Sequence, residues 1–400
     1  MNSLRSLLAV AALCGLSSSF EYNTFDGEGH PSCYNVTAVY DPKSVDEIVD
    51  LVKKTASKGL QVRAGAKGHM WYDTQCSDDE TVIIRTEHVN NIWDLDLDKG
   101  TVMVEAGVTF FQLAEYLHEN GANIGTGLVN WNISLGGSIA MGAHRTSLRE
   151  DAVVVGGVLA MDIIDGKGEI RHIERDESDD DWLAASTSLG ILGIIARIKM
   201  QVFPETKVWA MQKTDQEGFQ STFSVTELEA VAARTLLDSG KYLPSSNWLM
   251  EEIFFGLWDK PNFHDKSTDE EITKWPVYGY NYDVLIGGLY PGQKPEWDYD
   301  LRGYTLELAF PVTRANEMLK RVRQLFDAEA KKLIFMTSTY RSGINIKFSK
   351  PHYDFLGQST VDTADGQDWS KGAIMFDFPS YRPTVGDHKR YNEQFCELMT

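Results

Sequence analysis

Val62-Arg63-Ala64-Gly65-Ala66-Lys67-Gly68-His69 joins an apolar run, Leu60 to Ala64, to a glycine-rich turn. The run reads as a buried strand. Glycines at 65 and 68 let main-chain N–H groups turn toward a diphosphate with no Cβ in the way. The turn does not match the G-x-G-x-x-G that opens a helix in the common dinucleotide fingerprint. By itself it is as easily a plain turn as a phosphate cradle, so its surroundings decide.

Working outward, residues 36–62 read as strand, helix and strand. Ser44 with Glu47 forms a capping box, in which each side chain satisfies a main-chain N–H at the start of the helix. Ile48, Leu51, Val52 and Ala56 recur on one face, and Gly59 stands at the stop. The pattern returns at Thr101 to Ala106, a strand. Thr109 with Gln112 makes a second capping box, Leu113 and Leu117 share a face, and Gly121 ends that helix.

Residues 135–144 then read Leu-Gly-Gly-Ser-Ile-Ala-Met-Gly-Ala-His. The small residues Gly136, Gly137, Ser138, Ala140, Gly142 and Ala143 suit either tight strand packing or close approach of backbone to a flat ring system. Two small-residue segments, each in its own strand–helix context, favour a cofactor. Val153 to Ile164 is apolar enough for a buried strand, and Asp165-Gly166-Lys167-Gly168 reads as a hairpin turn. Residues 174–181 are acidic and read as a solvated loop. Ser188 to Gly193 leads through Ile194 into an alternating strand that ends near Val202 and Phe203. Pro204 marks a boundary. Beyond it, residues 259–275 read as a long polar loop, Thr305 to Phe310 as a strand closed by Pro311, Glu317 to Leu325 as a helix, and Ile344 to Phe348 as a strand.

The 400 residues suit two domains, and 42% hydrophobic with 24% charged residues permits a sizeable core. A net charge of −20 argues against nucleic acid and anionic lipid as partners, since both recruit Lys and Arg. Residues 1–19 read as a signal peptide: Arg5, a short apolar run from Leu7 to Leu16, and small residues before Phe20. That run is too short to span a bilayer and no other candidate exists. With Cys14 removed, Cys33, Cys76 and Cys396 remain. Cys33 with Cys76 is the preferred disulfide, because it ties the start of the domain to the loop after His69. The sequons at Asn35 and Asn132 suit the same secreted, extracellular setting. His88, His118 and His172 are isolated, and no metal or serine-nucleophile motif is present.

Taken together, residues 33–206 resemble the FAD-binding domain of the vanillyl-alcohol oxidase (PCMH-type) superfamily. Val62 to His69 is similar to its pyrophosphate loop and Val104-Glu105-Ala106-Gly107-Val108-Thr109 to its strand-to-helix entry. Residues 135–144 resemble the segment lining the isoalloxazine, and Leu189 to Ile195 the segment closing the adenine side. Within the superfamily the sugar-lactone and polyol oxidases, of the L-gulonolactone and D-arabinono-1,4-lactone oxidase kind, are most similar. The resemblance implies an α+β fold with an FAD-binding domain at 30–206 and a substrate-binding cap at 207–400. It implies FAD held by Gly65, Ala66, Lys67, Gly68, His69, Met70, Gly136, Gly137, Ser138, Ala140, Gly142, Ala143, His144, Gly193 and Ile194. It implies a covalent bond from His69 to the flavin 8α-methyl carbon, the alternative being a histidine that only hydrogen-bonds the cofactor.

In the C-terminal half, Leu306 to Pro311 resembles a family strand and keeps its carboxylate, Glu307. Asn345-Ile346-Lys347-Phe348 stands where the family has Glu-x-Arg-Phe, a charged pair facing substrate. Lys347 keeps a cation without the planar fork of Arg, and Asn345 cannot act as a base. The family's His-Trp-x-Lys segment has no counterpart before Thr400, so either the sequence is truncated or this relative does without it. The implied reaction is oxidation of a CH–OH group of a carbohydrate-like small molecule. Hydride passes to flavin N5, and O2 reoxidises the flavin to give hydrogen peroxide. Lys347, Asn345 and Glu307 are the implied catalytic residues, and Tyr278, Tyr280 and Tyr282 serve either sugar stacking or core packing. The alternatives are a dehydrogenase with another electron acceptor and a flavin-binding relative without turnover.

Overall fold

The computed structural model describes residues 20–23, 32–68, 74–125, 128, 132–147, 151–211, 224–225, 235, 263–265, 270–272, 276–282, 294–295, 303–329, 345–361 and 365–381. Residues 1–19, His69, Met70 and Cys396, named above, lie outside them. The described residues form mixed sheets and helices, an α+β fold.

The first sheet contains β1 (Phe20–Asn23) and β2 (Ser32–Tyr40). Helix α1 (Val45–Ala56) follows, then β3 (Gln61–Gly65) and β4 (Thr81–Arg85). The order is β1-β2-β4-β3, with β2 and β3 both parallel to β4. Ser44 caps α1 by accepting from the Glu47 amide at 3.2 Å. The box is only half formed, because the Glu47 carboxylate accepts from the Lys43 amide at 2.8 Å. Val45, Ile48, Val52 and Thr55 form the buried face of α1. Ala56 is exposed, since at 3.6 residues per turn it sits about 80° round the axis from Ile48. Cys33 and Cys76 are bonded, with Cα atoms 4.8 Å apart.

The second sheet takes β5 (Ile92–Asp96) and β6 (Thr101–Glu105), followed by α2 (Phe110–Glu119), β7 (Ala122–Asn123) and α3 (Leu135–Ala140). Next come β8 (Val158–Ile164), β9 (Ile170–Glu174), α4 (Asp180–Ser186) and β10 (Ile194–Gln201). Its order, β5-β6-β10-β8-β9, is antiparallel throughout. The Thr109–Gln112 box is complete at the start of α2. Leu113 and Leu117 on that helix are fully buried.

Two expectations are corrected here. Val154–Gly157 is a 3₁₀ turn and the strand starts only at Val158. The acidic stretch 174–181 also ends inside α4, where Asp180 and Asp181 sit on the positive end of the helix. The core under the second sheet gathers Val104, Leu113, Leu117, Leu135 and Ile198. Burying each such side chain is worth about 1.5–3 kcal/mol. A neighbouring core joins the two sheets: Ile48 and Val52 of α1 meet Val82 and Ile84 of β4, and Ile164, Ile194 and Ala196 of the second sheet.

Pro204 does not end the first unit abruptly. Strand β11 (Phe203–Pro204) pairs back on β7. The described pieces beyond are β12 (Lys207–Ala210), β13 (Ser224–Val225), β14 (Phe263–Asp265), β15 (Glu270–Ile272), β16 (Val277–Tyr280) and β17 (Lys294–Pro295). They pair as β12 with β16, β13 with β17 and β14 with β15. The stretch 259–275, read as a loop, therefore contains a short hairpin. A last sheet, β18-β20-β19, is built from β18 (Gly303–Pro311), β19 (Asn345–Ser349) and β20 (Ala373–Tyr381). Helix α5 (Ala315–Glu329) covers it, with Met318 packed on Ile374, Phe376 and Phe378.

Candidate FAD site

The two glycine-bearing segments converge. A cleft lies where the end of β3, the N-terminal part of α3 and the start of β10 meet. Of the residues expected to hold a cofactor, Gly65, Ala66, Lys67, Gly68, Gly136, Gly137, Ser138, Ala140, Ala143, Gly193 and Ile194 line it. Arg63, Thr74, Gln75, Ile133, Met141, Leu189 and Ile195 line it as well. Gly142 and His144 are not among the lining residues, and His69 and Met70 lie outside the described residues.

The local chemistry suits a dinucleotide with a flat ring. Among the described residues, the amides of Ala66, Lys67 and Gly68 have no hydrogen-bond acceptor. Gly68 holds φ +77°. Three consecutive main-chain donors in a turn form an anion-binding concavity. The turn is fixed from behind: the Gly65 carbonyl accepts from the Thr86 amide at 2.8 Å, and Gln75 donates to the Ala64 carbonyl at 2.9 Å.

The second segment plays a different part. The leading amides of α3 are consumed internally, Leu135 donating to Val108 O at 2.8 Å and Gly136 to Ala106 O at 2.9 Å. A Cβ on Gly136 would stand 2.6 Å from the Ala106 Cβ. Its small size therefore lets α3 sit against the end of β6, and Ile133, Ser138, Ala140 and Met141 present the surface toward the cleft.

Lys67 is not a free cation. Its Nζ donates to Glu87 at 2.6 Å, and Arg85 donates to the other oxygen of the same carboxylate at 2.5 Å. Burial opposes ionisation of Glu87, but the Lys67 and then the Arg85 contacts outweigh it and hold the carboxyl below its usual range.

A second cluster joins the segment after α3 to the last sheet. His144 Nε2 lies 2.8 Å from Glu307 Oε2. Lys347 Nζ donates to Glu307 Oε1 at 3.0 Å and to Asp377 Oδ2 at 3.1 Å. All four side chains are largely shielded, at 8% exposure for His144, 14% for Glu307 and Asp377, and 17% for Lys347. Strand pairing explains the convergence, because Glu307 of β18 and Asn345 of β19 are both register partners of Asp377 in β20. Burial works against ionised Glu307, yet the His144 hydrogen bond and charge, followed by Lys347, bring it to about 2. Burial also works against charged Lys347, and the two carboxylates overcome it and raise its pKa. The cluster is anchored by main chain: the Phe348 amide donates to Thr146 Oγ1 at 3.0 Å, and the Ser147 amide to the Phe348 carbonyl at 2.9 Å.

Lys347 and Glu307 thus meet, and they meet His144, which belongs to the glycine-bearing segment. Asn345 joins them by register; its side chain lies outside the described residues. Asp377 was missed. Its signal was a lone carboxylate between Phe376 and Phe378 in an apolar strand. The tyrosines do not join the site. His118 stacks on buried Tyr282 with centroids 4.9 Å apart and meets the Tyr280 edge at 5.2 Å, while Tyr278 packs against Trp209 at 5.4 Å. His118 and His172 are satisfied by Glu205 at 2.6 Å and Asp162 at 2.7 Å.

Residues 36–174 match the family described as FAD binding domain. D-arabinono-1,4-lactone oxidase of Kluyveromyces lactis is 30% identical over 179 residues, covering 44% of this chain and 33% of the relative. L-gulono-1,4-lactone dehydrogenase of Mycobacterium tuberculosis is 28% identical over 181 residues, covering 45% and 40%. The chain thus aligns with about a third to two-fifths of these relatives' length. L-gulonolactone oxidase 3 of Arabidopsis thaliana is 27% identical over 458 aligned positions, covering 96% of this chain and 74% of the relative. The fold is that of cholesterol oxidase from B. sterolicum, with a TM-score of 0.65 at 13% identity over 95% of this chain and 83% of that one. Residues 36–174 are thus an FAD binding domain, and FAD is its cofactor.

Proposed function

We propose that this chain is a secreted oxidoreductase that oxidises a CH–OH group of a sugar, sugar lactone or polyol. The observation that carries the reading is the meeting of His144, one residue beyond the cleft-lining Ala143, with Glu307 and Lys347 of the last sheet. The names of the Kluyveromyces and Arabidopsis relatives, a D-arabinono-1,4-lactone oxidase and an L-gulonolactone oxidase, support the substrate class. FAD, when bound, supplies a two-electron acceptor at N5 that O2 can reoxidise with release of hydrogen peroxide.

The chain's own residues bind and orient. The 66–68 amides take the diphosphate, the apolar wall of Ile133, Met141, Leu189 and Ile195 takes the rings, and His69 is the point of covalent attachment. Lys347, held between two carboxylates, keeps Glu307 and Asp377 together and is a positioning cation more than a free electrophile.

A second reading, a dehydrogenase passing electrons to an acceptor other than O2, is favoured by the name of the Mycobacterium relative. The test is to supply the purified protein with D-arabinono-1,4-lactone, L-gulono-1,4-lactone and a panel of alditols. Substrate-dependent peroxide supports the oxidase. Bleaching of the flavin without peroxide, relieved by an artificial acceptor, supports the dehydrogenase. No bleaching with any of them contradicts both.

A further inference from the structure

We propose that His144 is the proton acceptor for the substrate hydroxyl, through Nδ1, and that Glu307 is the residue that orients it. The inference rests on the carbohydrate-oxidation reading above and assigns it a base, which Asn345 cannot supply.

Three observations carry it. First, Glu307 is an acceptor at Nε2 of His144, 2.8 Å away. An ionised carboxylate has no proton to donate, so Nε2 carries the hydrogen, and in the form with a single ring proton Nδ1 presents a lone pair. Second, Nδ1 is unused: it is shielded from solvent and has no hydrogen-bond partner among the described residues. Buried polar atoms are nearly always paired, and an unpaired one in a water-shielded ring points to a donor that arrives with a ligand. Third, the residue before it, Ala143, lines the FAD cleft.

The charges around the ring agree. Glu307, Lys347 and Asp377 sum to one net negative charge, so a proton arriving on His144 neutralises the cluster. Lys347 divides itself between the two carboxylates, which holds Glu307 in place and moderates its attraction for that proton. In the step, the substrate O–H bond breaks and its proton passes to Nδ1. The C–H bond breaks with its electron pair passing as hydride to FAD, and a C=O bond forms. The substrate loses two electrons and FAD gains them.

The experiment has two arms. In the holoenzyme labelled with 15N-histidine, His144→Gln identifies the His144 signals. A single ring proton, on Nε2, is the result the proposal requires, and Glu307→Gln should scramble that tautomer. A doubly protonated ring, or a proton on Nδ1, overturns the assignment whatever the substrate proves to be. In the second arm, D-arabinono-1,4-lactone or L-gulono-1,4-lactone is mixed anaerobically with enzyme and loss of flavin absorbance is timed. His144→Gln should retain its FAD, lose about 10²–10⁴-fold in reduction rate, and lose the acid limb of the pH profile. An unchanged rate and profile would sink the proposal. If neither lactone reduces the wild-type flavin, the substrate reading fails and the spectroscopic arm still decides the role of His144.

Discussion

The ammonium of Lys67, in the turn that faces the FAD cleft, lies 2.6 Å from the carboxylate of Glu87. Its charge is therefore spent largely on the protein, and Glu87 places a negative charge beside the 66–68 turn. Glu87→Gln should tighten non-covalent FAD binding by up to about fivefold, since removal of one partly exposed like charge is worth about 1 kcal/mol. Isothermal titration in a His69→Ala background measures it. Weaker binding would show that Glu87 serves the site only by holding Lys67 and Arg85 in place.

Gly136 gives a steric prediction. A Cβ there meets the Ala106 Cβ at 2.6 Å, and Ala106 is main-chain bonded to Gly136. Gly136→Ala must push α3 away from β6 and toward the cleft. A loss of about 1–3 kcal/mol is expected, the usual cost of overpacking, with FAD content reduced. Denaturant melts and the ratio of flavin to protein absorbance report the two effects.

Much of this was legible in the sequence. Thr109 and Gln112 announce their capping box because its chemistry is local, three residues apart. Cys33 and Cys76 were pairable because the bond ties the start of the domain to the loop after His69. Long-range partners were not legible. Asp377 meets Lys347 only through the register of β18, β20 and β19, which no local pattern encodes. Gly136 reads as a ring-facing residue, and its packing against Ala106 appears only once β6 and α3 are in place. The 3₁₀ turn at 154–157 hid inside an apolar run, because hydrophobicity marks burial and not backbone conformation.

The Cys33–Cys76 bond closes a separation of 43 residues, across α1, β3 and the 66–68 turn. By chain entropy it contributes about 4 kcal/mol. Cys33→Ser with Cys76→Ser should lower the denaturation midpoint accordingly, and reduction of the wild type with dithiothreitol should reproduce the shift. An unchanged midpoint would mean that the first sheet is held by its core alone.

Acid should loosen the junction between the glycine-bearing segment and the last sheet. Glu307 has its pKa brought down to about 2 in the folded protein, from an ordinary value of 4.5. A carboxylate depressed by folding stabilises the native state above its unfolded pKa, and that contribution is lost as pH falls from about 4.5 toward 2. Melting temperature should therefore decline over that window, and more steeply in wild type than in Glu307→Gln. Equal slopes would show that Glu307 is not the group that titrates.

The central claim is that the cleft between β3, α3 and β10 holds FAD, with His69 bonded to it. The most direct measurement is an absorbance spectrum of the purified protein before and after acid precipitation. A yellow protein whose colour stays with the pellet, and a His69→Ala variant whose colour washes out while its FAD still binds when native, is the predicted result. A colourless preparation that takes up no added FAD would contradict the account.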